Sequence, residues 1–171
     1  PTGWLQGRTI YGGLVAGLMM QKALSTLADD TKHLLSCSVT FVGPVQQAKV
    51  RLTSEILRQG KSVTTLEVRL WQDDAVQSIL VASFGTQRES SIHVHQEPVA
   101  PAFPSVDGLT TAPHHPLAPE CFKQLDMVWV TGQYPCTASP KPDFSGWYRF
   151  NPALHENRDM TVADLMLSMD I

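Results

Sequence analysis

Positions 14–20 carry no polar side chain, and two glycines, Gly12 and Gly13, stand immediately before them. A helix over this stretch is apolar on every side and has to be enclosed by protein. It is too short to cross a membrane, which takes about 18 apolar residues in a row. Downstream the period changes from helical to alternating. Leu35, Cys37, Val39 and Phe41 alternate with Ser36, Ser38 and Thr40, which predicts a half-buried strand stopped by Gly43-Pro44. A second strand is predicted through Val50, Leu52, Ser54 and Ile56, ending near Gln59-Gly60. A third puts Thr64, Leu66, Val68 and Leu70 on one face and Thr65, Glu67 and Arg69 on the other. Asp73-Asp74 marks a turn, and a fourth strand follows over 76–87. Strands joined by short turns pair most simply antiparallel. One buried helix wrapped by one antiparallel sheet is the expected α+β layout.

The texture changes over 98–142, where nine of the 12 prolines lie. Such density forbids regular ladders and reads as a linker laid across the surface. Strands are predicted at 125–130 and 146–150, the second stopped by Asn151-Pro152. Residues 161–170 are predicted as a second apolar helix, with Thr161 and Asp164 at capping-box spacing. Strands and an apolar helix thus occur twice, but the second helix is not followed by a sheet to cover it. A chain cut short of that sheet is the simpler account, and a sheet supplied by another chain is the alternative. The expected organisation is a first unit at 1–92, a proline-rich linker at 93–120 and the start of a second unit at 121–171.

Composition narrows the function. The 171 residues are 43% hydrophobic, enough for a real core. The formal net charge is -3, and no basic patch interleaved with aromatics suggests a nucleic-acid partner. Cys37, Cys121 and Cys136 are odd in number, widely spaced and without a CxxC pair, so neither a zinc site nor a disulfide framework is indicated. A reduced cytoplasm is the simplest setting, with no membrane partner.

Among candidate residues Asp170 stands out. Asp164 is explained as a helix-start acid favoured by the macrodipole. Asp170 lies about two turns further on, beside Leu167, Met169 and Ile171. An unpaired carboxylate in an apolar surround costs several kcal/mol, which makes it a candidate general base for activating a water. The plainer alternative is that the helix ends there and the carboxylate reaches solvent. Gly12 and Gly13 open a helix whose first amides are unpaired donors, able to hold a carbonyl oxygen or a phosphate. The plainer alternative is a tight helix entry, with Gly17 also allowing close packing. Gln21 is expected at the surface and Cys37 as an inert core thiol. His93, His95, His114 and His115 lack a carboxylate or thiol at ligand spacing and read as solvated. No serine lies in a GxSxG elbow.

Taken together, the motifs resemble a known family. The run Trp4-Leu5-Gln6-Gly7-Arg8-Thr9-Ile10-Tyr11-Gly12-Gly13-Leu14-Val15-Ala16 is similar to the entry to the first helix of the thioesterase-like superfamily, including its acyl-CoA thioesterase II type. Ser38-Val39-Thr40-Phe41-Val42-Gly43-Pro44-Val45, Arg58-Gln59-Gly60-Lys61-Ser62-Val63 and Ala82-Ser83-Phe84-Gly85 match further along. Gly146-Trp147-Tyr148-Arg149-Phe150 and Leu165-Met166-Leu167-Ser168-Met169-Asp170 resemble the second unit's entry and helix. The resemblance implies a hotdog fold, a curved antiparallel sheet wrapped around a central helix, with two such units in tandem. It implies hydrolysis of an acyl-CoA to free acid and CoA by a water held on Asp170; the unpaired amides at or near Gly12 and Gly13 are then expected to face the thioester oxygen as it gains charge. The Thr or Ser and the Gln that complete the family's triad are expected beyond Ile171, so no residue of this sequence is assigned to them. The acyl chain is expected along an apolar channel near Met19, Met20 and Met166. No metal or redox cofactor is called for, and homo-oligomers through hotdog edges are expected. A non-catalytic acyl or acyl-CoA binding module is the alternative. A hotdog hydratase ranks lower, because neither predicted helix contains the histidine such enzymes use.

Overall fold

The computed structural model describes residues 2–170 apart from 93, 95, 97, 100, 101 and 134–136. The chain divides into two compact units, residues 1–90 together with 158–171, and residues 91–157.

The first unit opens with a short hairpin, β1 (Leu5–Gln6) and β2 (Thr9–Ile10), followed by the helix α1 (Gly12–Leu27). Four antiparallel strands follow: β3 (His33–Phe41), β4 (Arg51–Gln59), β5 (Val63–Gln72) and β6 (Ala75–Gly85). Their order in the sheet is β3-β6-β5-β4, so the two strands consecutive in sequence at 33–41 and 51–59 form opposite edges. The apolar run of α1 lies against the sheet's inner face. Met19, Met20 and Ala23 are fully buried, and they share a core with Leu66, Val68, Leu70, Leu80 and Phe84. The alternation expected for β5 holds throughout, with Thr64, Leu66, Val68, Leu70 and Gln72 all buried.

The alternation expected for β3 does not hold. A bulge between Leu34 and Ser36 shifts the register. Leu34 therefore turns to the core beside Cys37 and Val39, and Leu35 is 59% exposed. One extra residue in a strand sends every side chain before it to the other face. The β5–β6 connection is tight, with Gln72 paired to Ala75 and positive φ at both Asp73 (49°) and Asp74 (58°). That is the type I′ geometry whose twist suits a hairpin.

The chain re-enters this unit with α2 (Val162–Ser168), which packs on α1. Thr161 caps it: the Asp164 amide donates to the Thr161 hydroxyl at 3.3 Å, and the Thr161 amide to the Asp164 carboxylate at 2.8 Å. The expected helix over 161–170 is shorter than that. The Leu165 carbonyl accepts both the Met169 amide at 3.1 Å and the Ser168 hydroxyl at 2.8 Å, and the Leu167 carbonyl of the last turn accepts from the Tyr11 hydroxyl.

The second unit contains a 3-10 turn (Glu120–Gln124) and an antiparallel hairpin of β7 (Leu125–Thr131) and β8 (Ser145–Phe150). Part of the proline-rich stretch is tied to this hairpin. The Ala112 amide donates to the Met127 carbonyl at 2.7 Å, and the Trp147 indole to the Pro104 carbonyl at 3.0 Å.

Candidate active site

The glycines at the head of α1 are explained by what lies against them. A Cβ at Gly13 would collide with the Leu167 carbonyl oxygen of α2. One turn on, a Cβ at Gly17 would lie 3.0 Å from the Ala163 carbonyl oxygen and 3.2 Å from the Leu167 Cβ. Glycines four apart share one helix face, and here they let α2 approach the α1 backbone. At Gly12 a Cβ would stand 2.7 Å from Asp170 Oδ2 and 3.1 Å from the Phe41 ring. Close packing explains Gly13 and Gly17, and room for the carboxylate explains Gly12.

No side chain of the cap residue Tyr11 satisfies the first amides of α1, and its first turn holds no acid. Asp170 supplies one from outside: the Gly13 amide donates to Asp170 Oδ2 at 3.0 Å. A carboxylate there meets both an orphan donor and the positive end of the helix dipole. Asp170 Oδ1 makes no hydrogen bond among the described residues. Helix geometry leaves the Gly12 amide, one residue earlier, without an intrahelical acceptor.

Asp170 is thus not two turns inside a helix in an apolar surround. It stands just past the end of α2 and is exposed, because that helix stops at Ser168. Its carboxylate nonetheless borders a cavity of about 260 Å³ whose walls include Gln6, Thr9, Gly12, Phe41 and Pro44. Ile10, Val15 and Val45 form a wall common to this cavity and a second, more apolar one of the same size, lined also by Leu14, Leu18, Val50 and Leu70. The segment carrying Val45 is fixed from two sides. The Ile10 amide donates to the Val45 carbonyl at 2.8 Å. The buried Gln72 side chain accepts from the Gln46 amide at 2.9 Å and donates to its carbonyl at 3.2 Å.

None of Met19, Met20 and Met166 borders either of these two cavities. Met19 and Met20 are interior core residues. Met166 is half-buried, with its sulfur 3.6 Å from that of Cys37, whose thiol is pushed up by burial. Gln21 is exposed. His114 and His115 are exposed as well, whereas His93, His95 and Cys136 lie outside the described residues. Among the described residues no cluster of three or more ligand-type side chains could hold a metal. Among the described residues no helix is long and apolar enough to cross a membrane.

Tyr11 and the segment from Gly43 to Val45 lie within the runs that resemble the family, but they do not stand out as site residues in the sequence. An aromatic directly before a glycine pair is a usable signal, since a buried tyrosine needs a partner for its hydroxyl. The segment carries no such mark, because its place depends on the crossing between sheet edges.

Residues 1–86 match the family model described as the acyl-CoA thioesterase N-terminal domain. No curated protein sequence matches the chain. Among solved structures, the chain is similar to a conserved hotdog-fold protein of unknown function from Alicyclobacillus acidocaldarius (22% identity, TM-score 0.82, covering 99% of this chain and 61% of that one). It is also similar to a provisional thioesterase II from Thermobifida fusca YX (18%, 0.78, 99% and 63%). A third is an acyl-CoA thioesterase II, TesB2, from Mycobacterium marinum (23%, 0.65, 94% and 59%). At these identities the likeness establishes the hotdog fold. The chain spans about three fifths of the length of these structures.

Proposed function

The chain belongs to the acyl-CoA thioesterase N-terminal domain family, and from that premise we propose that it supplies the acid, Asp170, of the site of a thioester hydrolase acting on acyl-CoA. The observation that carries this reading is the Asp170 carboxylate, held on the Gly13 amide at the edge of a cavity, with its second oxygen uncommitted. In the proposed reaction Asp170 takes a proton from a water as that water's oxygen bonds to the thioester carbon. The carbonyl oxygen gains charge and is met by the Gly12 amide, since the Gly13 amide is already engaged. The C–S bond then breaks, and the proton on Asp170 passes to the departing CoA sulfur. A preorganised donor of the Gly12 kind is typically worth about 3 kcal/mol in rate. The reaction uses neither a metal nor a redox cofactor.

The apolar cavity beside the reaction centre supports an acyl chain lying along Leu14, Leu18 and Val50, in place of the Met19 and Met20 channel. The order hairpin, then helix, recurs in β7, β8 and α2, which supports residues 121–171 as the opening of a second hotdog unit in tandem, reached through the linker at 93–120. Leu35 and Phe41 on one edge strand, and Ile56 and Leu57 on the other, are exposed. They support assembly through hotdog edges, which a solution molar-mass measurement checks.

In the full-length protein, Asp170→Asn should abolish most thiol release from acyl-CoAs while leaving acyl-CoA binding largely intact. Near wild-type turnover in that variant would sink the proposal. A non-catalytic acyl-CoA binding module is the second reading, favoured by the way Asp170 Oδ2 also serves simply to cap α1. Saturable acyl-CoA binding without thiol release in the wild-type protein would select it.

A further inference from the structure

Tyr11 precedes the glycine pair and is 1% exposed. It is held by both ring and backbone: the ring stacks on Trp4 with centroids 6.2 Å apart, and the Tyr11 amide donates to the Trp4 carbonyl at 2.9 Å. The Tyr11 hydroxyl donates to the Leu167 carbonyl at 2.9 Å, a buried bond across 156 positions of sequence. That carbonyl belongs to the last turn of α2, where a backbone oxygen has no partner inside its own helix. Its other neighbour is Gly13, whose missing Cβ makes room for it. The Leu167 oxygen is therefore gripped between a bare Cα and a buried phenol, both at the head of α1. Asp170 lies three residues further on, with Oδ2 on the Gly13 amide.

We infer that Tyr11 is the positioning residue for Asp170. Its hydroxyl, acting through the Leu167 carbonyl, sets the end of α2 against the start of α1 and so holds the carboxylate at the cavity edge. Phenylalanine would keep the ring and its stacking but leave a buried carbonyl without its donor, a penalty the chain relieves by shifting. A displacement of about 1 Å at a reacting group can cost up to about a hundredfold in rate. What is said of rate rests on Asp170 acting as the base; what is said of geometry does not.

The test compares Tyr11→Phe, Asp170→Asn and the double variant in the full-length protein. It reads the Gly13 amide proton resonance by NMR, and kcat and KM for acyl-CoA hydrolysis. In Tyr11→Phe the Gly13 resonance should leave its wild-type position toward that of Asp170→Asn. The kcat should fall about tenfold or more while KM stays within about twofold. Adding Tyr11→Phe to Asp170→Asn should cost nothing further. An unmoved Gly13 resonance with unchanged kcat overturns the inference, and so does an equal loss of kcat in both backgrounds, which would mean that Tyr11 acts independently of Asp170. If Tyr11→Phe moves the Gly13 resonance but the wild-type protein hydrolyses no acyl-CoA, the positioning role stands and the hydrolase reading falls.

Discussion

Gly13 does two jobs that only a residue without a side chain can combine: it admits the Leu167 carbonyl against its Cα and donates its amide to Asp170. Gly13→Ala should therefore cost about 1–3 kcal/mol in thermal or denaturant unfolding, the usual range for overpacking a tight contact. A stability equal to wild type would show that α2 can retreat freely. Val50 tests the neighbouring cavity. Val50→Trp should shift acyl preference toward shorter chains, read from kcat/KM across a chain-length series. Much at this scale was legible beforehand. The glycine pair and Asp170 stood out in the sequence, although their hydrogen bond across 157 positions did not.

At the scale of elements, α2 depends on its first turn. Arg158 donates two bonds to Asp164, at 2.6 and 2.9 Å, while the Thr161 amide and hydroxyl also bond to the carboxylate. The Arg158 guanidinium, foremost, and the Thr161 donors hold the Asp164 carboxyl well below the usual carboxylate range, against the opposing push of burial. A carboxyl depressed on folding contributes stability above its unfolded pKa of about 3.9 and loses it as pH falls through the folded value. Asp164→Asn should therefore flatten the acid limb of stability below about pH 4, measured by urea unfolding against pH. Asp164→Ala should cost about 2 kcal/mol at neutral pH. The Thr161–Asp164 spacing predicted the cap, but not Arg158, which joins it from the preceding loop. At the β5–β6 turn, Asp74→Gly should be neutral or stabilising by up to about 1 kcal/mol, since glycine suits the second position of a type I′ turn.

Across the whole molecule, the sheet has a protected middle and two open sides. β5 and β6 pair on both edges and carry the fully buried Leu66, Val68, Leu80 and Phe84. Their amides should exchange slowest with solvent deuterium, and those of β3 and β4 should exchange faster. Equal protection across all four strands would contradict the observed order. Strand content and the antiparallel sense followed from the alternating pattern and the short turns. The order of strands did not, because residues 42–50 cross from one edge to the other and carry no signal of their destination. That crossing sets Gly43, Pro44 and Val45 beside the head of α1, which completes the cavity at Asp170.

Hydrophobic periodicity alone specified one enclosed helix, a set of half-buried strands and a second apolar helix, because burying apolar area is a local demand written into each segment. Tertiary structure alone decided which strand lies beside which, where the β3 bulge turns Leu34 inward, and that Asp170 meets the Gly13 amide. These depend on backbone groups, which are the same in every residue and so leave no trace in the pattern of side chains until packing selects their partners.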